Sequence, residues 1–202
     1  MEISVIVTNY NYANYIGRCL RSLLSQTINH SLFEIICVDD ASTDDSKEII
    51  STFTNEIKMV FLEKNVGLAS AVNIGLKSAV GRLIVRVDAD DFVHPEFLRI
   101  LVLSNELLGS DYDAFALDYI EVDEKGKTLK VSNASEAPIA CAIAFKMEAL
   151  MAIGAYKEGL RIFEERELLE RFNQKGFKMK NVHLPLYRYV KHSSSLTTGV
   201  FK

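Results

Sequence analysis

An apolar segment of the chain runs directly into a cluster of carboxylates. Residues 83–87 are Leu-Ile-Val-Arg-Val, and acidic side chains follow at Asp88, Asp90 and Asp91. This much negative charge at the end of a buried strand is costly unless a cation neutralises it. Oxygen ligands suit a hard ion such as Mg²⁺ or Mn²⁺, which often completes its coordination with substrate phosphates. The segment therefore predicts a metal and a phosphate-bearing ligand; the alternative is a polar loop that caps the helix starting near Pro95.

Two further strand ends carry polar groups. The strand at residues 3–7 leads into Thr-Asn-Tyr-Asn-Tyr, which includes Tyr10, and the strand at residues 33–38 leads into Asp40. Ligands of open α/β sheets bind at the carboxyl ends of the strands, so these groups are expected to share an edge with Asp88. Tyr10 could stack on a base and Asp40 could accept the imide N–H of a uracil, although such residues are also common in turns. No Gly-x-Gly-x-x-Gly follows the first strand, which disfavours a dinucleotide site.

The elements that must position these groups alternate in the first half of the chain. Short apolar runs rich in β-branched residues predict strands at 3–7, 33–38, 59–62 and 83–87. Helical spacing of apolar residues predicts helices at 15–24, 46–53, 68–80 and 95–108. Consecutive strand–helix units imply a mostly parallel sheet with helices on both faces.

After residue 110 this alternation breaks. The pattern predicts a hairpin from strands 114–122 and 128–131, then a strand at 141–145 and a helix at 146–153. A helix at 165–175 and strands near 178–182 and 186–190 complete the chain. The sequence thus divides into residues 1–110 and 111–202, two halves of one compact domain, with a mixed α+β second half.

Bulk properties narrow the class of protein. The chain has 202 residues, ordinary apolar content and a net charge of −4, so it is long enough for one full core and nucleic acid is not expected as its partner. No secretory leader or membrane-spanning run is evident. Three widely spaced cysteines read as buried thiols in a reducing compartment. These features predict a cytoplasmic protein, either free or attached peripherally to the inner face of the membrane.

Six short motifs, in order along the chain, together resemble the signatures of family 2 glycosyltransferases with the GT-A fold. They are Thr-Asn-Tyr-Asn at 8–11, Val-Asp-Asp-Ala-Ser-Thr-Asp at 38–44, Asn-Val-Gly at 65–67, Asp-Ala-Asp-Asp at 88–91, Phe-Glu-Glu at 163–165 and the tail from Tyr187 to Ser193. The resemblance implies an α/β nucleotide-binding fold in which residues 1–110 bind a nucleotide-sugar and residues 111–202 shape the acceptor site.

The resemblance also implies roles for individual residues. Thr8, Tyr10 and Asp40 match positions that hold the nucleoside, and the Asn65–Gly67 motif belongs to the same donor site. Asp88 and Asp90 match the Asp-x-Asp motif, which grips the ribose and the metal on the diphosphate, with Asp91 beside them. His192 matches a tail position that approaches the metal or diphosphate; a solvated loop histidine is the alternative. Glu165 matches the catalytic base.

The helical pattern supports Glu165 for that role. Leu168, Leu169 and Phe172 follow it by three, four and seven residues, so all four share one helix face. A helix N-terminus favours a charged carboxylate, whereas partial burial favours the protonated form, and the sequence leaves the balance of the two effects open. A glutamate near the N-cap without chemistry is the alternative.

Two residues depart from the family pattern. Glu165 stands where the family often has Asp, and Val72 stands where many relatives have Arg.

From the resemblance as a whole we expect an inverting glycosyltransferase that uses Mn²⁺ or Mg²⁺. The expected donor is a UDP-sugar, and the expected acceptor is a glycan or lipid-linked molecule in polysaccharide or glycolipid synthesis. The alternative is a catalytically impaired nucleotide-sugar-binding or scaffold protein. A nucleotidyltransferase is disfavoured because no Gly-rich basic loop follows the first strand. The sequence leaves the oligomeric state open.

Overall fold

The computed structural model describes residues 1–160 and 164–193. Its first half contains the strand–helix alternation that the apolar pattern predicts. The elements are β1 (Ile3–Asn9), α1 (Ala13–Leu24), β2 (Phe33–Asp39), α2 (Ser46–Ser51), β3 (Lys58–Phe61), α3 (Leu68–Leu76), β4 (Leu83–Asp88), β5 (Phe92–Val93) and α4 (Phe97–Leu108). The two-residue strand β5 was not predicted, because two residues are too few to show a period.

The second half contributes further strands to the same sheet. Its elements are β6 (Ala114–Val122), β7 (Thr128–Ser132), β8 (Ile143–Lys146), α5 (Met147–Ala152), α6 (Glu164–Gln174) and β9 (Met179–Val190). The predicted hairpin is present, since β6 and β7 pair antiparallel. Residues 141–142 were predicted as strand but belong to a 3₁₀ turn, Ala140–Ala142, that precedes β8.

One mixed sheet joins both halves in the order β3-β2-β1-β4-β8-β6-β9-β5, with β7 paired to β6. Strands β3, β2, β1 and β4 are parallel, β8 is antiparallel to both of its neighbours, and β6 and β9 are parallel. The predicted α/β class with a mostly parallel first half is confirmed.

Side chains of β1 alternate in direction and place apolar groups on both faces of the sheet. Helices therefore cover both faces. Val5 and Val7 pack with α1, α2 and α4 in the larger core. Ile6 points the other way and packs with α3, α5 and α6. This layered arrangement leaves the carboxyl ends of the parallel strands as the open edge.

The two strands predicted near residues 178–182 and 186–190 are one strand, β9. Both segments pair with β6, but the register shifts between Leu117 and Tyr119, so residues 183–186 form a bulge. Pro185 lies in this bulge, where its missing N–H costs no ladder hydrogen bond. The sequence pattern thus gives the position of the irregularity correctly, but the irregularity is a bulge within one strand and not a loop between two strands.

Two bulk properties can be compared with the structure. All three cysteines are buried and free, as the sequence predicts. Among the described residues, none of the helices is both long and apolar enough to cross a bilayer.

Candidate active site

The carboxyl ends of β1, β2 and β4 open into one cavity of ≈ 670 Å³. Seven of the predicted site residues line it: Thr8, Tyr10, Asp40, Asn65, Gly67, Asp88 and Asp90. The predicted base, Glu165, lines the same cavity from the start of α6. The strand-end rule thus brings together groups that are far apart in the sequence.

Hydrogen bonds between the loops after β1 and β2 build the first wall. The Asp39 carboxylate accepts hydrogen bonds from Asn9 Nδ2 (2.7 Å) and Ser42 Oγ (2.6 Å). Asn11 adopts a φ of 59°, and its Oδ1 accepts a hydrogen bond from the Thr43 amide at 2.8 Å. These contacts fix the segment that carries Thr8 and Tyr10 against the segment that carries Asp40.

Asp40 orients the entrance of α3. Its two carboxylate oxygens accept hydrogen bonds from the amides of Val66 (2.7 Å) and Gly67 (2.9 Å). Asn65 Nδ2 also donates to the Asp40 carbonyl at 3.3 Å. The two backbone bonds are charge-assisted and hold the start of α3 beside the cavity. Each Asp40 oxygen keeps a lone pair, so this carboxylate can still accept a ligand N–H.

Thr8 and the tyrosines provide the part of the cavity that suits a nucleoside. Thr8 Oγ1 is buried and has no hydrogen-bond partner among the described residues. Tyr10 is 44% exposed, which leaves a large apolar ring open at the cavity edge. Tyr12 and Tyr189 add two more rings that the sequence analysis did not single out. An unsatisfied buried hydroxyl in a cavity lined by one exposed and two half-buried aromatic rings is typical of a ligand site.

The three predicted acids of the β4 end have different surroundings. Asp88 and Asp90 line the cavity, whereas Asp91 does not. Asp91 Oδ2 accepts a hydrogen bond from Tyr187 Oη at 2.7 Å, and Oδ1 accepts one from the Val190 amide at 2.8 Å. Asp91 therefore ties the acidic loop to β9 from beneath the cavity. Its assignment as a metal ligand stays a prediction, with both oxygens already bonded.

His192 lies beside Asp90, as the predicted metal site requires. Its Nε2 is 2.8 Å from Asp90 Oδ2. The imidazole stacks on Tyr15 with ring centroids 4.7 Å apart and meets the Tyr12 ring edge-on at 5.8 Å. These rings orient the histidine at the acidic loop, so it is not a solvated tail residue.

Burial perturbs the acidic loop strongly. Desolvation raises the pKa of Asp88 to about 6, and the repulsion of Asp90 and Glu165 adds to this, although Arg86 opposes it. Desolvation likewise raises the pKa of Asp91 well above its ordinary value. Carboxylates in this state are stabilised by a bound cation.

The carboxylates of Asp88 and Asp90 suit a hard ion such as Mn²⁺ or Mg²⁺, for which the imidazole of His192 is a less usual ligand. Among the described residues, the grouping of three potential ligands whose atoms lie within 4.8 Å of one another is Asp88 with Asp91 and Cys141. It fits a hard ion poorly, because burial raises the pKa of Cys141 and keeps the thiol protonated. Asp91 and Cys141 lie outside the cavity lining, as does His192, whereas Asp88 and Asp90 line it. Asp88 and Asp90 are therefore the acids of this loop that a metal in the cavity would meet.

Arg86 connects the acidic loop to the predicted base. Its Nη2 donates to Asp88 Oδ2 at 3.2 Å and to Glu165 Oε1 at 3.1 Å. The other Glu165 oxygen, Oε2, accepts a hydrogen bond from the Ala140 amide at 3.0 Å. Glu164 also lines the cavity, with its Oε1 3.8 Å from Arg86 Nη1. Phe163, the first residue of the predicted motif, lies outside the described residues.

The second arginine near the acidic loop, Arg188, makes no such link within the described residues: its Nη1 donates to the Pro185 carbonyl at 2.6 Å. Ala140 and the neighbouring Ile139, which lines the cavity, gave no sequence signal because their positions depend on the 3₁₀ turn. Val72, which stands in place of the expected arginine, belongs to α3, is fully buried in the core beneath this helix and does not line the cavity.

Comparison with known proteins agrees with this geometry. The sequence model of Glycosyl transferase family 2 matches residues 4–179 of the chain. The chain belongs to this family. The match spans both halves and ends on β9.

Several relatives are themselves glycosyltransferases. An uncharacterized glycosyltransferase of Nostoc is 42% identical over 106 residues, which cover 50% of this chain and 32% of that protein. The poly(ribitol-phosphate) beta-N-acetylglucosaminyltransferase TarS of Staphylococcus aureus is 38% identical over 102 residues, covering 49% and 18%. The aligned part is thus less than a third of the length of either relative.

Solved structures establish the GT-A fold. TarS residues 1–349 in complex with UDP-GlcNAc superimpose with a TM-score of 0.84 at 23% identity, covering 100% of this chain and 62% of that one. A mannosyltransferase from Pyrobaculum calidifontis, in complex with GDP-Man and Mn²⁺, gives a TM-score of 0.72 at 18% identity, covering 94% and 56%.

Proposed function

We propose that this family 2 chain transfers a sugar from a UDP-sugar to an acceptor hydroxyl with inversion at the anomeric carbon. One observation carries the proposal: Asp88 and Glu165 face the same cavity and share one guanidinium, that of Arg86. A donor held at the strand ends would therefore present its sugar beside a carboxylate at the helix end. The TarS complex with UDP-GlcNAc supports the choice of nucleotide.

Thr8, Tyr10 and Asp40 would hold the nucleoside, next to Asn65 and Gly67. The Tyr10 ring would stack on the base, and the unpartnered Thr8 hydroxyl would gain a hydrogen-bond partner. Asp40 would accept the imide N–H of uracil with a remaining lone pair while holding α3 in place. Asp88 would hold the ribose and, with Asp90, the metal on the diphosphate.

The charge of the cavity supports a metal cofactor. Among its described lining residues are five carboxylates, at Asp40, Asp88, Asp90, Glu164 and Glu165, and a single basic side chain, Arg86. Arg86 is already surrounded by acids, so it is not available to a diphosphate that adds more negative charge. Asp90 and His192 would hold Mn²⁺ or Mg²⁺, with Asp88 and Asp91 beside them. When bound, the ion would supply Lewis-acid stabilisation of the leaving diphosphate.

Glu165 would act as the general base. It would take the proton of the acceptor hydroxyl, whose oxygen forms a bond to the anomeric carbon while the bond to the diphosphate oxygen breaks. Attack from the face opposite the leaving group inverts the anomeric configuration. The longer Glu side chain can replace the usual Asp here because Arg86 and the Ala140 amide fix both of its oxygens.

The acceptor would be a glycan or lipid-linked glycan bound by the second half of the chain. The relative TarS, a poly(ribitol-phosphate) beta-N-acetylglucosaminyltransferase, supports a role in polysaccharide synthesis. Residues 1–110 would then bind the donor and residues 111–202 the acceptor. We place the reaction in the cytoplasm, where nucleotide-sugars are made, either in solution or at the inner face of the membrane.

Calorimetry with UDP, GDP, dTDP and CMP, each with and without Mn²⁺, tests the donor site. We expect tight binding of UDP that requires Mn²⁺ and is lost in Asp90→Ala. Asp111→Ala is the matched control, since Asp111 is exposed and does not line the cavity. Binding of no nucleotide would instead favour a scaffold protein that retains the fold.

A further inference from the structure

Arg86 lies at the centre of the candidate active site without facing solvent. Its side chain is only 2% exposed, although it extends from β4 into the cavity lining. Burial alone would lower the pKa of Arg86, but the surrounding carboxylates, Asp88 foremost, raise it. A buried guanidinium is tolerated because several acids surround it.

The contacts of Arg86 are unequal. Nη2 is shared between Asp88 and Glu165 at 3.2 and 3.1 Å, and Nε lies 2.9 Å from Asp88 Oδ1. The closest approach to Glu164 is longer, at 3.8 Å, and makes no hydrogen bond. Arg86 therefore distinguishes the two adjacent glutamates and bonds only the second of them.

Glu165 depends on this contact for its orientation. Its side chain is 33% exposed, and the described residues provide two groups that bond its carboxylate, Arg86 and the Ala140 amide. The Ala140 amide belongs to the turn before β8, which pairs with β4, the strand that carries Arg86. One strand and the turn that leads into its neighbour thus hold the two oxygens of one carboxylate.

We propose that Arg86 is a positioning residue that selects Glu165 over Glu164 as the base and ties its orientation to Asp88 on the donor side. This inference rests on the proposed function for the reaction itself. A planar guanidinium can bond two carboxylates at once with fixed geometry, whereas a lysine ammonium is a point charge on a flexible stem. Arg86→Lys should therefore keep the charge and lose the orientation.

The first measurement needs no substrate. Hydrogen exchange at the Ala140 amide reports whether Glu165 still occupies its position. We expect Arg86→Lys and Arg86→Met to speed exchange at Ala140 by at least about tenfold. The Ala142 amide of the same turn, which bonds the Ile139 carbonyl at 3.1 Å, should keep its rate. Equal acceleration at both amides, or at neither, would overturn the proposal.

The second measurement separates the base from the donor site. UDP release from UDP-GlcNAc, with water as the acceptor, is followed beside the affinity for UDP with Mn²⁺. For Arg86→Lys we expect turnover to fall about 100-fold while the UDP affinity changes only a few-fold, because misplacement of a reacting group by about 1 Å costs this much. Equal losses in turnover and UDP affinity would show that Arg86 serves the donor site instead.

The two measurements fail independently. If the wild-type protein neither binds UDP nor produces UDP from UDP-GlcNAc, the proposed function is wrong. Exchange at Ala140 would still decide whether Arg86 positions Glu165. If Arg86→Met does not fold, Arg86→Lys retains the charge that balances the buried acids and carries both measurements.

Discussion

The carboxylate of Glu165 shows how environment, rather than residue type, could define the base. Glu164 and Glu165 are chemically identical neighbours, and both line the cavity. Within the described part of the chain, Glu165 is the one of the two with each oxygen bonded, to Arg86 and to the Ala140 amide, which fixes the remaining lone pairs. The helical period places Glu165 on the face of Leu168 and Phe172, which are fully buried, but in the structure Glu164 is the more buried of the two glutamates. The contact with Ala140 could not be predicted, because it joins residues from separate elements.

Substitution of Glu165 by Gln keeps the shape of the side chain and removes its basicity. We expect turnover to fall by about 10² to 10⁴, the usual contribution of a general base, while UDP affinity stays within a few-fold. Initial rates of UDP release and calorimetry measure the two quantities. Glu170→Gln is the control, because Glu170 is exposed on the same helix. Full activity of Glu165→Gln would exclude Glu165 as the base.

The raised pKa of Asp88 predicts that the free energy of unfolding of the metal-free protein depends on pH. This pKa rises from an ordinary 3.8 to about 6, chiefly through desolvation, so the folded protein binds this proton more tightly than the unfolded chain. The stabilisation is therefore complete below pH 4 and lost as the pH rises through 6. Each pKa unit corresponds to about 1.4 kcal/mol, so the loss is at most about 3 kcal/mol.

The comparison of wild type with Asp88→Asn isolates this effect. Urea unfolding from pH 4 to pH 7 in EDTA should show a steeper fall in the free energy of unfolding for the wild type. Contributions from distant groups are common to both proteins and cancel, whereas Asp91 is repelled by Asp88, so the difference reports Asp88 together with its coupling to Asp91. Parallel curves for the two proteins would show that Asp88 titrates normally. Mn²⁺ should restore wild-type stability above pH 6, because a cation favours the charged carboxylate.

The strand ends are the part of the site that could be predicted best. Apolar runs located β1, β2 and β4, and the rule for parallel strands then placed Thr8, Asp40 and Asp88 at one edge. The way the loops are fixed could not be predicted. Asp40 bonds Val66 and Gly67, and Asp39 bonds Ser42, through contacts that depend on the exact path of each loop.

Gly67 joins the loop to α3 in a conformation that other residues avoid. It precedes α3 with φ 87° and ψ 160°, and its amide bonds Asp40. Gly67→Ala meets no atom within 4 Å, so the expected loss of about 1 to 3 kcal/mol comes from the backbone alone. Because the strain also moves the amide away from Asp40, UDP affinity should fall together with stability.

Gly176→Ala provides the matched control for this element. Gly176 follows α6 with φ 78° and likewise has open space around it, but it does not line the cavity. We expect it to lower the unfolding midpoint in urea and to leave UDP binding unchanged. If both variants bound UDP like the wild type, the Asp40–Gly67 contact would be structural only.

One sheet and one large core join the two parts of the sequence. β4 of the first half pairs with β8 of the second, and the larger core contains Val85 and Phe97 as well as Phe115 and Tyr187. The change of pattern near residue 110 was visible in the sequence. The insertion of β8 between β4 and β6 was not, because strand order does not follow chain order.

This shared sheet predicts that damage in one half destabilises the other equally. Phe172 is fully buried and packs edge-on against Phe145, with ring centroids 5.4 Å apart, so Phe172→Ala should cost about 3 to 5 kcal/mol. Hydrogen exchange of the β1 and β6 amides should then accelerate by the same factor. Leu107→Ala is the control, because Leu107 is 71% exposed and its loss should change stability by no more than about 0.5 kcal/mol. Acceleration confined to β6 would mean that the donor-binding half remains folded without the other, and the site could then be studied as an isolated fragment.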